Sequence, residues 1–109
     1  MLKSALIYMS PDGDPNRYRA SIKTSKAELT SVIIEMMNFD QAVNVCQDLV
    51  QKEGVQVIIL CPGFTHEAVA RIANAVGEKA AIHVARGDPP SQTLVNGVLV
   101  KEGWLPEGH

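Results

Sequence analysis

Residues 54–77, GVQVIILCPGFTHEAVARIANAVG, decide the fold of this chain. Residues 55–61 are apolar at nearly every position, which is typical of a strand covered on both faces in a parallel sheet. A Pro-Gly turn follows, and apolar residues then recur at helical spacing until Gly77 ends the pattern. The stretch therefore predicts a strand, a sharp turn and an amphipathic helix, whose N-terminal N–H groups lie at the C-terminal edge of a sheet.

Similar signals occur on the N-terminal side of this stretch. The apolar run at residues 5–9 predicts a first strand. Residues 28–37 fit a helical stripe, but three consecutive β-branched residues at 32–34 favour a strand, and we interpret the segment as a strand. Asn38 then begins a helix, with Gln41 in the capping-box position, which ends near Gly54.

The C-terminal part contains one more predicted strand, residues 81–85, and then a Gly/Pro-rich break at residues 87–91. Asn96-Gly97 is a sequence typical of a type I′ turn, so the apolar residues around it predict a β-hairpin. We therefore expect an α/β domain at residues 1–90 and a hairpin extension at residues 91–109, packed on the same domain or on a partner subunit.

These elements predict a single-domain, open, mainly parallel α/β sheet of strand order 2-1-3-4, similar to flavodoxin and Rossmann folds. With right-handed crossovers, both helices lie on one face of the sheet. The polar segment 10–26 must then cover the other face, but it has too few apolar residues to do so alone. We expect the hairpin or a second subunit to complete the cover, which predicts a homo-oligomer.

Composition limits the class of protein. At 109 residues the chain has room for one core, and its net charge of −2 gives no reason to expect nucleic acid or an anionic membrane as partner. Cys46 and Cys61 lie among apolar neighbours without a paired-cysteine motif, which suggests a reducing, cytoplasmic setting. No stretch is typical of a signal peptide or a membrane span.

The predicted strand order places a ligand crevice between the ends of the first and third strands, where the order reverses. One side of the crevice is the turn with Ser10, Asp12 and Gly13. The other side is the turn from Cys61 to Glu67, which also contains Gly63, Thr65 and His66. Arg86 and Asp88, after the fourth strand, flank it and are candidates for anion recognition or for a solvated turn.

Three residues of the second turn are candidate catalytic groups. Cys61 could be a nucleophile with His66 as its base, or simply a small buried apolar residue. Glu67 could serve in acid-base chemistry or interact with the helix dipole. The backbone N–H groups of Gly63, Thr65 and His66 could bind an anion, and Thr65 could instead be the helix N-cap. Whether the chain is an enzyme stays open.

The sequence predicts no metal site. Asp12, Asp14 and Asn16 imitate the first ligands of a calcium loop, but Arg17 stands at the glycine position and Lys23 at the position of the closing glutamate. The histidines do not have ligand spacing, and the pattern does not identify a cofactor.

The chain resembles a family of small bacterial and archaeal proteins catalogued as a domain of unknown function. The resemblance covers about residues 3–86 and rests on LIYMSPDGDP, NRYRASI, NFDQAV and IILCPGFTHEAVARIANAVG, of which Leu60, Cys61, Gly63 and Phe64 are the specific part. It implies the α/β fold and no activity. Similar proteins usually stop soon after the fourth strand, so the tail is expected to be a feature of this chain.

Two functions follow as hypotheses. The first is a small cytoplasmic protein that binds a small molecule or anion in the crevice between the turns at 10–13 and 61–67. The second is a non-catalytic homo-oligomeric assembly module in which the turn at 61–67 is structural.

Overall fold

A computed structural model describes residues 1–107, and Gly108 and His109 lie outside the described residues. Within residues 1–107 there are five strands, three α-helices and one short 3-10 turn. The strands are β1 (Leu2–Ser10), β2 (Arg19–Lys23), β3 (Ala27–Glu35), β4 (Val57–Leu60) and β5 (Ala81–Val84). The helices are α1 (Phe39–Glu53), α2 (His66–Val76) and α3 (Ser91–Lys101), and the 3-10 turn Gly77–Lys79 follows α2.

The strands form one sheet of order β2-β3-β1-β4-β5. The central strand β1 pairs in parallel with β3 and β4, and β5 pairs in parallel with β4. Of the described strands, β2 alone is antiparallel, on the outer edge of β3. A single α/β domain with a mainly parallel sheet is therefore confirmed. The predicted order 2-1-3-4 is incomplete, because four strands keep those relative positions but β2 adds a fifth.

One face of the sheet forms the core with α1 and α2. Side chains alternate along a strand, so every second residue points to the same face. On this face the fully buried large side chains include Ile7, Ile34, Ile58 and Leu60. They belong to one cluster with the buried residues of the two helices. Phe39 and Phe64, at the N-terminal ends of α1 and α2, meet with ring centroids 5.7 Å apart.

We call the other side of the sheet the open face, because α1 and α2 do not cover it. Its large apolar side chains are half-buried or exposed, and Ile22 is 71% exposed. By strand alternation and register, the open face consists of Leu2, Ser4, Leu6, Tyr8, Ser10, Ala20, Ile22, Ala27, Leu29, Ser31, Ile33, Glu35, Val57, Ile59, Ala81 and His83.

The helix α1 begins and ends where the sequence predicts. The Asn38 side chain accepts a hydrogen bond from the backbone N–H of Gln41 at 3.0 Å. Gly54 ends the helix in the left-handed conformation, with φ of 71°. The Gln41 side chain does not complete a capping box, because its oxygen accepts from the backbone N–H of Glu35 instead. This bond joins the start of α1 to the end of β3.

The segment 10–26 does not cover the open face, contrary to expectation. Instead it contains β2, which turns back on β3 through a turn in which the Thr24 hydroxyl accepts from the N–H groups of Lys26 and Ala27. All five residues of β2 are exposed, so no apolar pattern indicated a strand. The interpretation of residues 28–37 as a strand is confirmed up to Glu35, where β3 ends.

The predicted C-terminal hairpin is wrong, because residues 91–101 form the helix α3. Leu94 and Val98, and likewise Val95 and Leu99, are four residues apart and therefore adjacent on a helix surface. This spacing competes with the local turn preference of Asn96-Gly97. Gly97 lies inside the helix, and the positive-φ glycines among the described residues are Gly54, Gly77 and Gly103. The type I′ turn is therefore absent from the described chain.

Candidate functional site

The turn between β4 and α2 is built by backbone hydrogen bonds. The N–H of Cys61 donates to the carbonyl of Ile7 and extends the pairing of β4 with β1 by one residue. The N–H of Phe64 then donates back to the carbonyl of Cys61, which closes the Pro62-Gly63 turn. These bonds fix Cys61 and Gly63 at the C-terminal edge of the sheet, beside the end of β1.

A cavity of about 500 Å³ lies at this edge, and we call it the apolar cavity. Its walls come from the ends of β1, β3 and β4, the loop after β5, α3 and the segment after α3. The lining residues are Tyr8, Met9, Met36, Met37, Cys61, Pro62, Gly63, Arg86, Gly87, Asp88, Ser91, Gln92, Val95, Asn96, Leu99, Trp104 and Leu105. Most of the wall is therefore aliphatic, aromatic or thioether.

The end of α3 directs Trp104 and Leu105 into this wall. Gly103 has φ of 80°, a conformation that glycine adopts without the penalty of a Cβ. The N–H of Trp104 then donates to the carbonyl of Leu99 at 2.8 Å, as in a Schellman turn. The chain therefore reverses after α3, and Trp104 and Leu105 join Leu99 in the wall of the apolar cavity.

A second hollow, of about 710 Å³, lies on the helix-covered side of the same turn. We call it the α2 hollow. Its lining residues are Pro62, Phe64, His66, Val69, Ala70, Val84, Ala85, Gly87 and Gln92. Pro62, Gly87 and Gln92 separate the two spaces, since they line both.

Cys61 and His66 do not line the same space. Cys61 lines the apolar cavity and is buried, whereas His66 is exposed and lines the α2 hollow. Burial raises the pKa of the Cys61 thiol above its ordinary value, although hydrogen bonds with the backbone of Gly63 and Met9 lower it. At neutral pH the thiol is therefore protonated, which disfavours the role of nucleophile. Cys61 therefore fits the role of a small apolar residue in the wall of the cavity.

Thr65 and Glu67 take the structural roles that the sequence left open. The Thr65 hydroxyl accepts from the N–H of Ala68 at 3.1 Å, so Thr65 is the N-cap of α2. Glu67 lies in the first turn of α2 and is exposed, where its charge interacts favourably with the helix dipole. Neither residue lines the apolar cavity.

The Ser10–Gly13 turn is not part of the apolar cavity either. The Ser10 hydroxyl donates to the carboxylate of Asp12 at 2.6 Å, and the carbonyl of Ser10 accepts from the N–H groups of Gly13 and Met36. A Cβ on Gly13 would overlap the carbonyl oxygen of Ile34, so only glycine allows this close approach. The turn therefore ties the ends of β1 and β3 together.

Arg86 is the one predicted ligand-binding cation that reaches the apolar cavity. Its Nε donates to the carboxylate of Asp88 at 3.0 Å, and both side chains are largely exposed at the rim. Gln92 and Asn96 add a second polar pair there, with Gln92 Nε2 donating to Asn96 Oδ1 at 2.9 Å. The rim is polar and the Arg86 charge is already paired.

Sequence reasoning missed most of the apolar wall, including Tyr8, Met36, Met37, Leu99 and Trp104. These residues lie far apart in the chain, and each has an ordinary local context. One signal was available: three of the four methionines, Met9, Met36 and Met37, follow or end predicted strands that meet at one edge. Methionine is common in adaptable binding surfaces, so this arrangement indicates an apolar site.

Within residues 1–107, no group of three or more His, Cys, Asp or Glu residues is placed to hold a metal ion. Over the same residues, no helix has the length and apolar character needed to cross a membrane.

No curated protein and no solved structure matches the chain. A family model matches residues 2–99, and its description is a family of unknown function, DUF6506. The match extends through most of α3, so the expectation that the tail belongs to this chain alone is wrong for residues 91–99. Because it covers nearly the whole sequence, the chain belongs to DUF6506, a family of unknown function.

Proposed function

We propose that this protein binds a small, mainly apolar molecule in the apolar cavity. The observation that carries the proposal is the cavity of about 500 Å³ at the C-terminal edge of the sheet. Sites for small molecules typically have volumes of about 300–1,000 Å³, apolar and aromatic walls and a few polar groups. In open α/β sheets such sites lie beyond the C-terminal ends of the strands.

The chemistry of the wall selects the ligand class. Met9, Met36 and Met37 offer flexible thioether side chains that adapt to a ligand surface, and Tyr8 and Trp104 add aromatic area. A phosphate or other small anion would gain little here, because Arg86 is the one Lys or Arg among the lining residues and the Asp88 carboxylate beside it repels an anion. Of the two ligand classes expected from the sequence, a small molecule or an anion, this composition supports a small molecule, and the walls favour an apolar one.

The polar pairs at the rim give the ligand an orientation. A molecule with an apolar body and one polar group would place the body against the methionines and the polar group near Arg86 or Gln92. We assign binding rather than catalysis to the site, since the Cys61 thiol is buried and His66 lines the other hollow.

The test is a titration with the neutral fluorophore N-phenyl-1-naphthylamine, with energy transfer from Trp104 as the signal. Trp104 is the sole tryptophan, so the signal comes from the cavity wall. We expect saturable binding to the folded chain, and we expect inorganic phosphate not to displace the fluorophore. Displacement by phosphate, or no saturable binding, would contradict the proposal.

Two glutamate substitutions on α3 form a matched pair. Leu99→Glu places a charge in the wall, and we expect the affinity for the fluorophore to fall at least about tenfold, or about 1.4 kcal/mol. Leu94→Glu lies on the same helix but outside the wall, where the side chain is 73% exposed, and the affinity should not change. Equal affinities in the two variants would place the fluorophore elsewhere.

A further inference from the structure

We propose that the open face of the sheet binds the open face of a second copy of this chain. This interaction uses the flat surface of the sheet rather than its C-terminal edge, and Tyr8 is the one open-face strand residue that also lines the apolar cavity. The central strands β1, β3 and β4 place apolar side chains there, such as Leu6, Ile33 and Ile59, next to residues as exposed as Ile22. Exposed apolar patches of this kind mark sites of association.

The distribution of charge on the open face favours a second copy of the chain as the partner. Most charged strand residues point to the helix-covered side: Lys3 contacts Glu28 and the C-terminal end of α1, and Arg19 pairs with Glu53 of α1. Among the strand residues that the structure describes, the open face has one charged residue, Glu35, at the end of β3. In a two-fold interface the same patch meets itself, so any cluster of like charges would repel its copy. A face without such a cluster is suited to a second copy.

The size of the open face meets the need of a dimer. With strands about 4.8 Å apart and a rise of about 3.3 Å per residue, the five strands span a planar footprint of about 500 Å². Two such faces remove about 1,000 Å² of planar area from water, and specific interfaces begin at about this size. Because side chains roughen the surface, the accessible area is larger than the footprint.

The first measurement is the mass of the full chain in solution by sedimentation velocity and light scattering. We expect a species of twice the 11.8 kDa of one chain, with dissociation on dilution. A wild-type chain that stays monomeric at every concentration would overturn the proposal.

A matched pair of variants locates the interface. Ile22→Glu changes a side chain of the open face that is 71% exposed, and Leu94→Glu changes a side chain of α3 that is 73% exposed. We expect Ile22→Glu to shift the protein to monomer and Leu94→Glu to leave the dimer intact. The far-ultraviolet circular dichroism of both variants should match the wild type. A folded Ile22→Glu dimer, or loss of the dimer only in Leu94→Glu, would contradict the assignment.

Histidine modification gives a test that needs no variant. His83 lies on the open face and His66 on the helix-covered side, and both side chains are exposed. With diethyl pyrocarbonate, we expect His83 to react slowly at concentrations where the dimer forms and quickly on dilution, while His66 reacts equally in both. Equal reactivity of His83 in the two conditions would overturn the proposal.

Discussion

The helices α2 and α3 have the same length, 11 residues, but they serve different parts of the fold. In α2, Thr65 caps the N-terminus, and Ala68, Ile72 and Val76 are buried against the sheet. In the described α3, the N-terminus has no side-chain cap and no residue is buried. Helical stability in proteins comes mainly from packing of an apolar face. We infer that α2 is part of the scaffold, whereas the main contribution of α3 is one wall of the apolar cavity.

This difference explains why the apolar residues of α3 remain accessible. Leu94 and Val98 are exposed outside the cavity, while the half-exposed Val95 and Leu99 line the apolar cavity together with Trp104. A helix that bound its apolar residues tightly to the core would leave no space at the edge of the sheet. The first three predictions that follow test this contrast, from the largest expected effect to the smallest.

Truncation of a buried side chain in α2 should have the largest effect on stability. Ile72 is fully buried, so Ile72→Ala should lower the free energy of unfolding by about 2–5 kcal/mol through lost contacts and a cavity. The matched change in α3, Leu94→Ala, should change it by less than about 0.5 kcal/mol, since Leu94 is mostly exposed. Urea unfolding of both variants measures the difference. Similar losses would show that α3 is also scaffold.

Substitutions at the N-terminal ends of the two helices should change the stability of the fold by a smaller amount. Thr65→Ala removes the hydroxyl that accepts from the N–H of Ala68, which should cost about 1 kcal/mol. Ser91→Ala changes the first residue of α3, whose N-terminus has no side-chain cap among the described residues, and should be nearly neutral. Thermal unfolding of both variants in the same buffer measures the two losses of stability. A larger loss for Ser91→Ala would contradict the conclusion that α2 has a side-chain N-cap and α3 does not.

The substitution Gly97→Ala distinguishes a helix from a hairpin at residues 91–101, because it should stabilise the first and destabilise the second. Inside a helix glycine is about 0.8–1.0 kcal/mol less favourable than alanine, so Gly97→Ala should stabilise the protein by up to that amount. Apart from its chain neighbours and the backbone of its own helix, no described atom lies within 4 Å of the added Cβ. A type I′ turn would instead require positive φ at this position, and alanine would destabilise it.

Gly103→Ala is the control for that experiment. Gly103 has φ of 80° where the chain reverses after α3, so its substitution should destabilise the protein although the space around it is also empty. The two glycine variants are therefore expected to shift the unfolding midpoint in opposite directions. A destabilising Gly97→Ala would contradict the helical assignment of residues 91–101.

The reactivity of the two cysteine thiols should differ, because Cys46 lies in the scaffold and Cys61 lies in the wall of the apolar cavity. Cys46 lies on the buried side of α1, where burial raises its pKa to about 12, and burial also raises the pKa of Cys61 at the cavity wall. Both thiols are therefore protonated at neutral pH, and alkylation by iodoacetamide should be slow in the folded protein. Cys61 should react first because it lines a cavity, and bound fluorophore should protect it. Earlier modification of Cys46, read by mass spectrometry, would contradict this order.

Because these pKa values are raised in the folded state, the free energy of unfolding is expected to depend on pH. A thiol whose pKa is higher in the folded state stabilises the fold fully below its ordinary pKa, about 8.5. For Cys46 this contribution is lost as the pH rises from there towards 12. Cys46→Ala should therefore weaken the fall in stability at alkaline pH, which urea unfolding at a series of pH values measures.

The parts of the fold with strong local patterns were predictable, and the parts decided by distant contacts were not. The strand β4, the turn at Cys61 and the helix α2 follow from an apolar run, Pro-Gly and helical spacing. The edge strand β2 buries none of its described residues, and its sequence has no alternating apolar pattern. The strand is defined by its pairing with β3. In α3, helical spacing outweighed the turn preference of Asn96-Gly97.

The candidate site was predictable in position but not in composition. Parallel strand ends meet at one edge, and Cys61 and Gly63 line the cavity at that edge. The expected partner turn, Ser10–Gly13, satisfies its own polar groups and holds β1 to β3 instead. The actual opposite wall comes from Leu99 and Trp104, and a reading of α3 as a hairpin could not place them there.

The most direct test of the apolar cavity uses the methyl groups of the four methionines. Met9, Met36 and Met37 line the cavity, whereas Met1 does not and serves as an internal control. In a carbon-13 methyl NMR spectrum, titration with N-phenyl-1-naphthylamine should shift the signals of Met9, Met36 and Met37 and leave that of Met1 unchanged. If the fluorophore binds while those three signals stay fixed, or shifts Met1 equally, the account of this cavity as the binding site is contradicted.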